Sequence, residues 1–156
     1  MSELILKEIG IDTALNAKDM YEKIADFEKF IGQQSDAKFG DDVAPLKHVF
    51  CNGLYIREIT MAKGMFIVSK IHKTTHPYFV LKGDVSVITE EGLVRIKAPY
   101  SGITKAGTQR ILYTHEDTVW TTIHKTKLKD LAKIEKKIIA KDYKSLPRSV
   151  RKLKGI

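Results

Sequence analysis

His72 and His76 are two of the five histidines, and they lie within the apolar, β-branched stretch Gly64 to Gly83, GMFIVSKIHKTTHPYFVLKG. Imidazole is the commonest metal ligand among side chains and the one that titrates nearest neutral pH. The residues on each side of Lys73-Thr74-Thr75 have strand character, so the spacing predicts a hairpin that brings the two rings together. Such a pair could ligate a metal or exchange protons on a pocket wall. Equally, two histidines can simply be hydrogen-bonded inside a barrel. Tyr78, two positions beyond His76, shares its strand face; it could line the same cavity, or pack in the core with its hydroxyl satisfied. Trp120 and His124 lie four apart in another strand-like run and also share a face, with packing the expected role for Trp120. His48 and His115 fall at strand ends or in loops and receive no role. The sequence carries no glycine-rich phosphate loop, nucleophile elbow or paired-carboxylate arrangement.

The elements that must position these residues are mostly strands. Short runs rich in Val, Ile, Thr, Tyr and Phe recur: 47–50, 54–61, 65–71, 78–81, 84–89, 93–98, 101–104, 109–114 and 118–124. Glu90-Glu91-Gly92 and Cys51-Asn52-Gly53 are hairpin turns. This rhythm predicts a sandwich, barrel or jelly roll rather than alternating βαβ units. Before it, Leu15, Met20, Ile24, Phe27 and Ile31 keep helical spacing, with Asp12 as a cap and Gly32 as a stop. Residues 1–11 alternate loosely, as an edge strand or a mobile arm would. Leu128, Leu131, Ile134, Ile138 and Ile139 predict an amphipathic helix over 126–139 with lysines on its other face. Pro147 is expected to interrupt any helix beyond. The expected division is an N-terminal arm, helix and loop over 1–45, a β-barrel over 46–124 and a basic helix and tail over 125–156.

Composition excludes several classes. A chain of 156 residues, 43% apolar and 29% charged, is expected to form one globular domain with a proper core. Cys51 is alone, so no intrachain disulfide and no paired-cysteine zinc set can form. The start lacks a secretory pattern and no stretch has the run of about 18 apolar residues of a membrane span, so a cytoplasmic protein with no membrane contact is expected. The net charge of +8 is concentrated at one end: residues 125–156 hold twelve Lys and Arg against three acids, and residues 1–124 hold fifteen against sixteen. Residues 143–156 contain no acid, which predicts weak, salt-sensitive nucleic-acid contact through this tail.

The spacing within Gly64 to Gly83 resembles the cupin family, small jelly-roll barrels with a pocket in the barrel mouth. The family's first motif is Gly, five residues, His-x-His, three or four residues, Glu, six residues, Gly. Here Gly64, Lys70-Ile71-His72, His76 and Gly83 stand at that spacing, with Lys70 in place of the first histidine and His76 in place of the glutamate. In the weaker second motif Pro99, Lys105, Gly107, Arg110 and Thr114 fall at the motif positions; only Gly107 agrees, and Arg110 replaces the last metal histidine. More narrowly, Gly53 to Ile59, the histidine segment, Ala98-Pro99-Tyr100 and Glu116 to His124 are similar to small cupin-like proteins of bacteriophages and prophages.

The resemblance implies a mainly β, cupin-like jelly-roll barrel with an N-terminal helix and a C-terminal basic amphipathic helix. It also implies a homo-oligomer with a phage or host protein partner, in the host cytoplasm or the virion. Cupin metal sites offer three imidazoles and a carboxylate to a divalent ion. Lys70 and Arg110 would instead place positive charge there, and guanidinium stays protonated. The expectation is therefore a non-catalytic binding or assembly protein with no cofactor. Lys70, His72, His76, Tyr78 and Arg110 would line a cationic pocket suited to an anion. The alternative is a metal-dependent enzyme of isomerase or dioxygenase type, with a divalent transition metal on His72 and His76.

Overall fold

The protein is described by a computed structural model over residues 15–156; the expected arm over 1–11 and the expected cap Asp12 lie outside the described residues. The strands in chain order are β1 (Leu46–Cys51), β2 (Leu54–Met61), β3 (Phe66–Val68), β4 (Ile71–His72), β5 (His76–Lys82) and β6 (Asp84–Thr89). They continue with β7 (Gly92–Lys97), β8 (Tyr100–Thr104), β9 (Ile111–Thr114), β10 (Thr118–Lys125) and β11 (Ile139–Ala140). The helices are α1 (Ala17–Gly32), α2 (Leu131–Ile138) and α3 (Arg148–Lys154).

The barrel is one long hairpin rolled on itself. Its tip is the two-residue turn Glu90-Glu91, closed by Gly92 at φ +102°. Outward from the tip, β6 pairs with β7, β5 with β8, β3 with β9 and β2 with β10, all antiparallel. Val87 faces Val94, Tyr78 faces Gly102, Phe66 faces Tyr113 and Met61 faces Thr118, so every pair brackets the same point of the chain near residue 90. Rolling distributes these pairs over two sheets, ordered β1-β2-β10-β5-β8 and β3-β9-β6-β7. This is a two-sheeted jelly roll, one of the architectures the strand rhythm left open and the one the cupin resemblance implied. Asn52 at φ +43° and Gly53 at φ +82° form the tight turn that adds β1 to the first sheet.

Alternation along the strands decides what is buried. Met61, Tyr78, Val80, Val85, Val87, Leu112 and Trp120 point between the sheets and form the main core. Ile88 and Ile111, on the outer face of the second sheet, are covered by Met20, Ile24 and Phe27 of α1. That cover explains why β6 is buried along nearly its whole length although strand residues alternate. Asn16 caps α1, its side chain accepting from the Asp19 N–H at 3.0 Å. Gly32, the expected stop, is the last helical residue, and Gln33 caps the end.

Four expectations are corrected. The run 65–71 is not one strand: β3 ends at Val68, and β4 is a separate segment. The predicted hairpin across Lys73-Thr74-Thr75 does not form, because β4 pairs with β11 while β5 pairs with β10 and β8. The C-terminal segment supplies β4's partner backbone, with Lys73 N–H donating to the Ile138 carbonyl at 2.7 Å. Pro147 does not interrupt a helix but precedes one, at the cap of α3, where a missing N–H leaves no helical bond unmade. The amphipathic helix is also shorter than 126–139: Asp130 caps it by accepting from Lys133 N–H, and Ile139 turns into β11. No helix among the described residues is long and apolar enough to cross a membrane.

Candidate metal centre and its cavity

In the pairing of β10 with β5, Thr122 lies opposite Tyr78, and the same register carried two residues further sets His124 against His76. Strand β4 runs past the same end of the sheet and adds His72. The ring centroids are 4.4 Å apart for His72 and His76, 4.4 Å for His76 and His124, and 5.5 Å for His72 and His124. One nitrogen from each ring falls within 4.8 Å of the others.

Hydrogen bonding orients two of these rings. His76 Nδ1 lies 3.0 Å from the Thr74 carbonyl, which can only accept, so Nδ1 carries the proton and Nε2 the lone pair. The Thr122 hydroxyl donates to the Arg57 carbonyl at 3.5 Å and accepts from His124 Nε2–H at 3.1 Å, which leaves the lone pair of His124 on Nδ1. His76 Nε2 and His124 Nδ1 are both buried with no hydrogen-bond partner. A buried polar atom left unpaired is costly, and two on neighbouring rings of one cluster ask for a ligand.

All three rings are held neutral, the form that binds metal. Burial, followed by the neighbouring His76 and His124, pulls His72 well below its ordinary value, and Arg110 and Arg57 add to this. Burial also lowers His76, against the opposing bond from Thr74. His124 is pushed down to about 3, by burial first and then by His76 and Arg57. Three neutral imidazoles, two with free lone pairs, fit a divalent transition ion.

The remaining residues singled out from the sequence are distributed around a cavity of about 160 Å³ that His72 also lines. Lys70 lines it and pairs with Glu135 of α2 at 2.6 Å. Arg110 lines it too, but donates from Nη2 to Thr104 Oγ1 at 2.6 Å, with its guanidinium 4.9 Å from the Tyr78 ring centroid and 5.4 Å from that of Trp120. Tyr78 stacks on Trp120 at 4.5 Å and belongs to the core, and His76 belongs to the histidine cluster; neither lines the cavity.

Two residues of the site carry no role in the sequence reading. His124 shares a face with Trp120 by parity, but only the long-range pairing of β10 with β5 brings it to His76. Arg57 follows Tyr55 and precedes Ile59 and Met61 at alternate positions of β2, and all four line the cavity. A charged residue in a row of inward apolar side chains was the available signal. In the tail, Val150 is buried, Arg151 Nε is buried without a partner, and Lys154 pairs with Glu90, while Lys144, Arg148 and Lys152 are exposed.

No protein-family model and no curated protein matches the chain. Among solved structures it is similar to a cupin-2 domain containing protein from Shewanella frigidimarina, at 10% identity and TM-score 0.44 over 52% of this chain and 79% of that one. It is likewise similar to the Cnp3 cupin domain of Schizosaccharomyces pombe, at 15% identity and TM-score 0.47 over 66% and 75%. A third is an acetylacetone dioxygenase from Acinetobacter johnsonii, at 13% identity and TM-score 0.44 over 59% and 74%. Likeness at this level transfers no residue role and no activity, and it lends no support to a phage or prophage origin.

Proposed function

We propose that this jelly roll is a metal-dependent protein that holds a divalent transition ion on His72, His76 and His124 and acts on a small molecule in the adjoining cavity. The observation that carries this reading is the pair of buried, unpartnered lone pairs on His76 Nε2 and His124 Nδ1. Two histidines from the motif segment alone would make a weak site; the third, from β10, supports a site of three imidazoles. A metal held by three protein ligands keeps a position for water or substrate, where the ion supplies Lewis-acid polarisation or a more acidic bound water. The protein's own part is to fix the ligand tautomers through Thr74 and Thr122, and to bring His72 to the cavity wall. Nucleic-acid contact through residues 143–156 is a weaker reading, since Arg151 and Lys154 are held against the body.

Metal analysis of the purified, dialysed protein tests the proposal. About one transition ion per chain is expected, falling to background in a His76→Ala/His124→Ala double variant that keeps its circular dichroism, and retained in His115→Ala. Unchanged metal content in the double variant, or none in the parent after exposure to zinc, manganese, iron and nickel, would sink it.

A further inference from the structure

Two charges in the barrel interior have no role in holding the metal. Arg110 is 8% exposed, and the protein offers its guanidinium only a neutral hydroxyl and two ring faces. Arg57 lines the same cavity and is the cross-strand partner of Thr122, which lines it too. Among the described residues no carboxylate pairs with either guanidinium, whereas Lys70 at the same cavity is answered by Glu135. A guanidinium does not shed its proton at any ordinary pH. Keeping one out of water without a counter-charge is costly. The histidines beside them carry no negative charge in any state and offer no compensation, and a divalent ion there would add further positive charge.

The rest of the wall specifies the occupant further. Ile59, Ile67, Leu112, Trp120 and Ile134 give it a largely apolar surface. Its volume is about 160 Å³. An inorganic anion would leave the apolar wall unused, and a polymer would not fit.

We infer that this cavity binds a small organic carboxylate, with the carboxylate on Arg57 and Arg110 and the apolar body against Leu112 and Trp120. Guanidinium and carboxylate match in charge and in the spacing of donors and acceptors. The inference names the ligand class for the site proposed above, and rests on that reading only for any chemistry after binding; the binding step itself needs no metal.

Calorimetric titration of the full chain, stripped of metal by a chelator, tests it with butyrate, succinate and benzoate, against inorganic phosphate and butylamine. At least one carboxylate is expected to saturate the protein, with phosphate and butylamine at least about tenfold weaker. Arg57→Gln, at a half-buried position that should tolerate the change, is expected to weaken that carboxylate at least about tenfold. Arg110→Gln should do the same if its circular dichroism shows it folded. No saturable carboxylate binding, equal binding of phosphate or butylamine, or unchanged affinity in Arg57→Gln would overturn the inference. The two readings fail separately: carboxylate binding with no metal uptake removes the metal centre, and metal uptake with no carboxylate binding removes the ligand class.

Discussion

Three imidazoles kept neutral beside two guanidiniums dictate how the metal-free protein responds to acid. Each histidine has a folded-state value below its ordinary one, His124 down to about 3. Between that and the unfolded value of about 6.5, the unfolded chain takes up protons that the folded protein refuses. Stability is therefore full above pH 6.5 and falls as pH drops through the histidine range. Asp84, held low chiefly by its hydrogen bond to Arg95, adds its own loss only once pH reaches the carboxylate range. A scan of thermal midpoint in chelator should thus fall from pH 7.5 to 5, and fall less in His124→Gln. A midpoint that is flat or rises on acidification would mean that these rings are not buried as neutral groups. At this scale the sequence shows part of the site: His72 and His76 are close in the chain and their types announce the chemistry, and Lys70 and Arg110 stand at motif positions and line the cavity. His124 and Arg57 reach it through pairings with distant strands, which periodicity within a strand cannot reveal.

Strands and turns were legible for a different reason: both are written in a few consecutive residues. Asn52-Gly53 and Glu90-Glu91-Gly92 form the turns their residue types predict, and most strand runs lie within two residues of their expected bounds. The exception is β4, two residues long, whose partner β11 comes from beyond α2 and has no local signature. Glycines mark where elements approach too closely for a side chain. At Gly102 a Cβ would lie 2.6 Å from the Tyr78 ring, which itself lies on Trp120. Gly102→Ala should push Tyr78 aside, change the near-ultraviolet circular dichroism and cost about 1–3 kcal/mol. Gly83, at φ +107°, joins β5 to β6 where the chain passes between sheets, and a Cβ there would meet the Asp117 carbonyl and Thr118 Cα at 2.7 Å. Both contacts are backbone and cannot swing away, so Gly83→Ala should destabilise more than Gly102→Ala. Chemical denaturation of the two variants side by side checks that order, and the reverse order would contradict it.

Charge along the whole chain suggests a neutral body with a basic appendage, yet the appendage is built into the body. Helix α2 covers the barrel mouth, with Ile134 and Ile138 against Tyr55, and β11 completes β4. Beyond it Leu146 and Val150 pack with Ile71 and Ala140, Tyr143 stacks on Tyr21 of α1 at 3.3 Å, and Lys154 reaches Glu90 at the tip of the rolled hairpin. The basic stretch thus ties together the first helix, the hairpin tip and the strand that carries His72. The sequence shows its charge but not its docking, because Leu146, Val150 and Tyr143 are too few and too irregularly spaced to form a periodic pattern. Two outcomes separate a strap from a free basic arm. Burying Leu146 and Val150 contributes about 3–6 kcal/mol together, and in a protein of this size each kcal/mol moves the thermal midpoint by about 2–4 °C. Deleting residues 143–156 should therefore lower the midpoint by roughly 6 °C or more and weaken metal retention by loosening β4. An arm serving only to contact nucleic acid would leave midpoint and metal content unchanged on deletion, with loss confined to retention on immobilised DNA or RNA at low salt. Measured together on the truncated protein, these readouts decide whether the terminal cations serve the fold or an external polyanion.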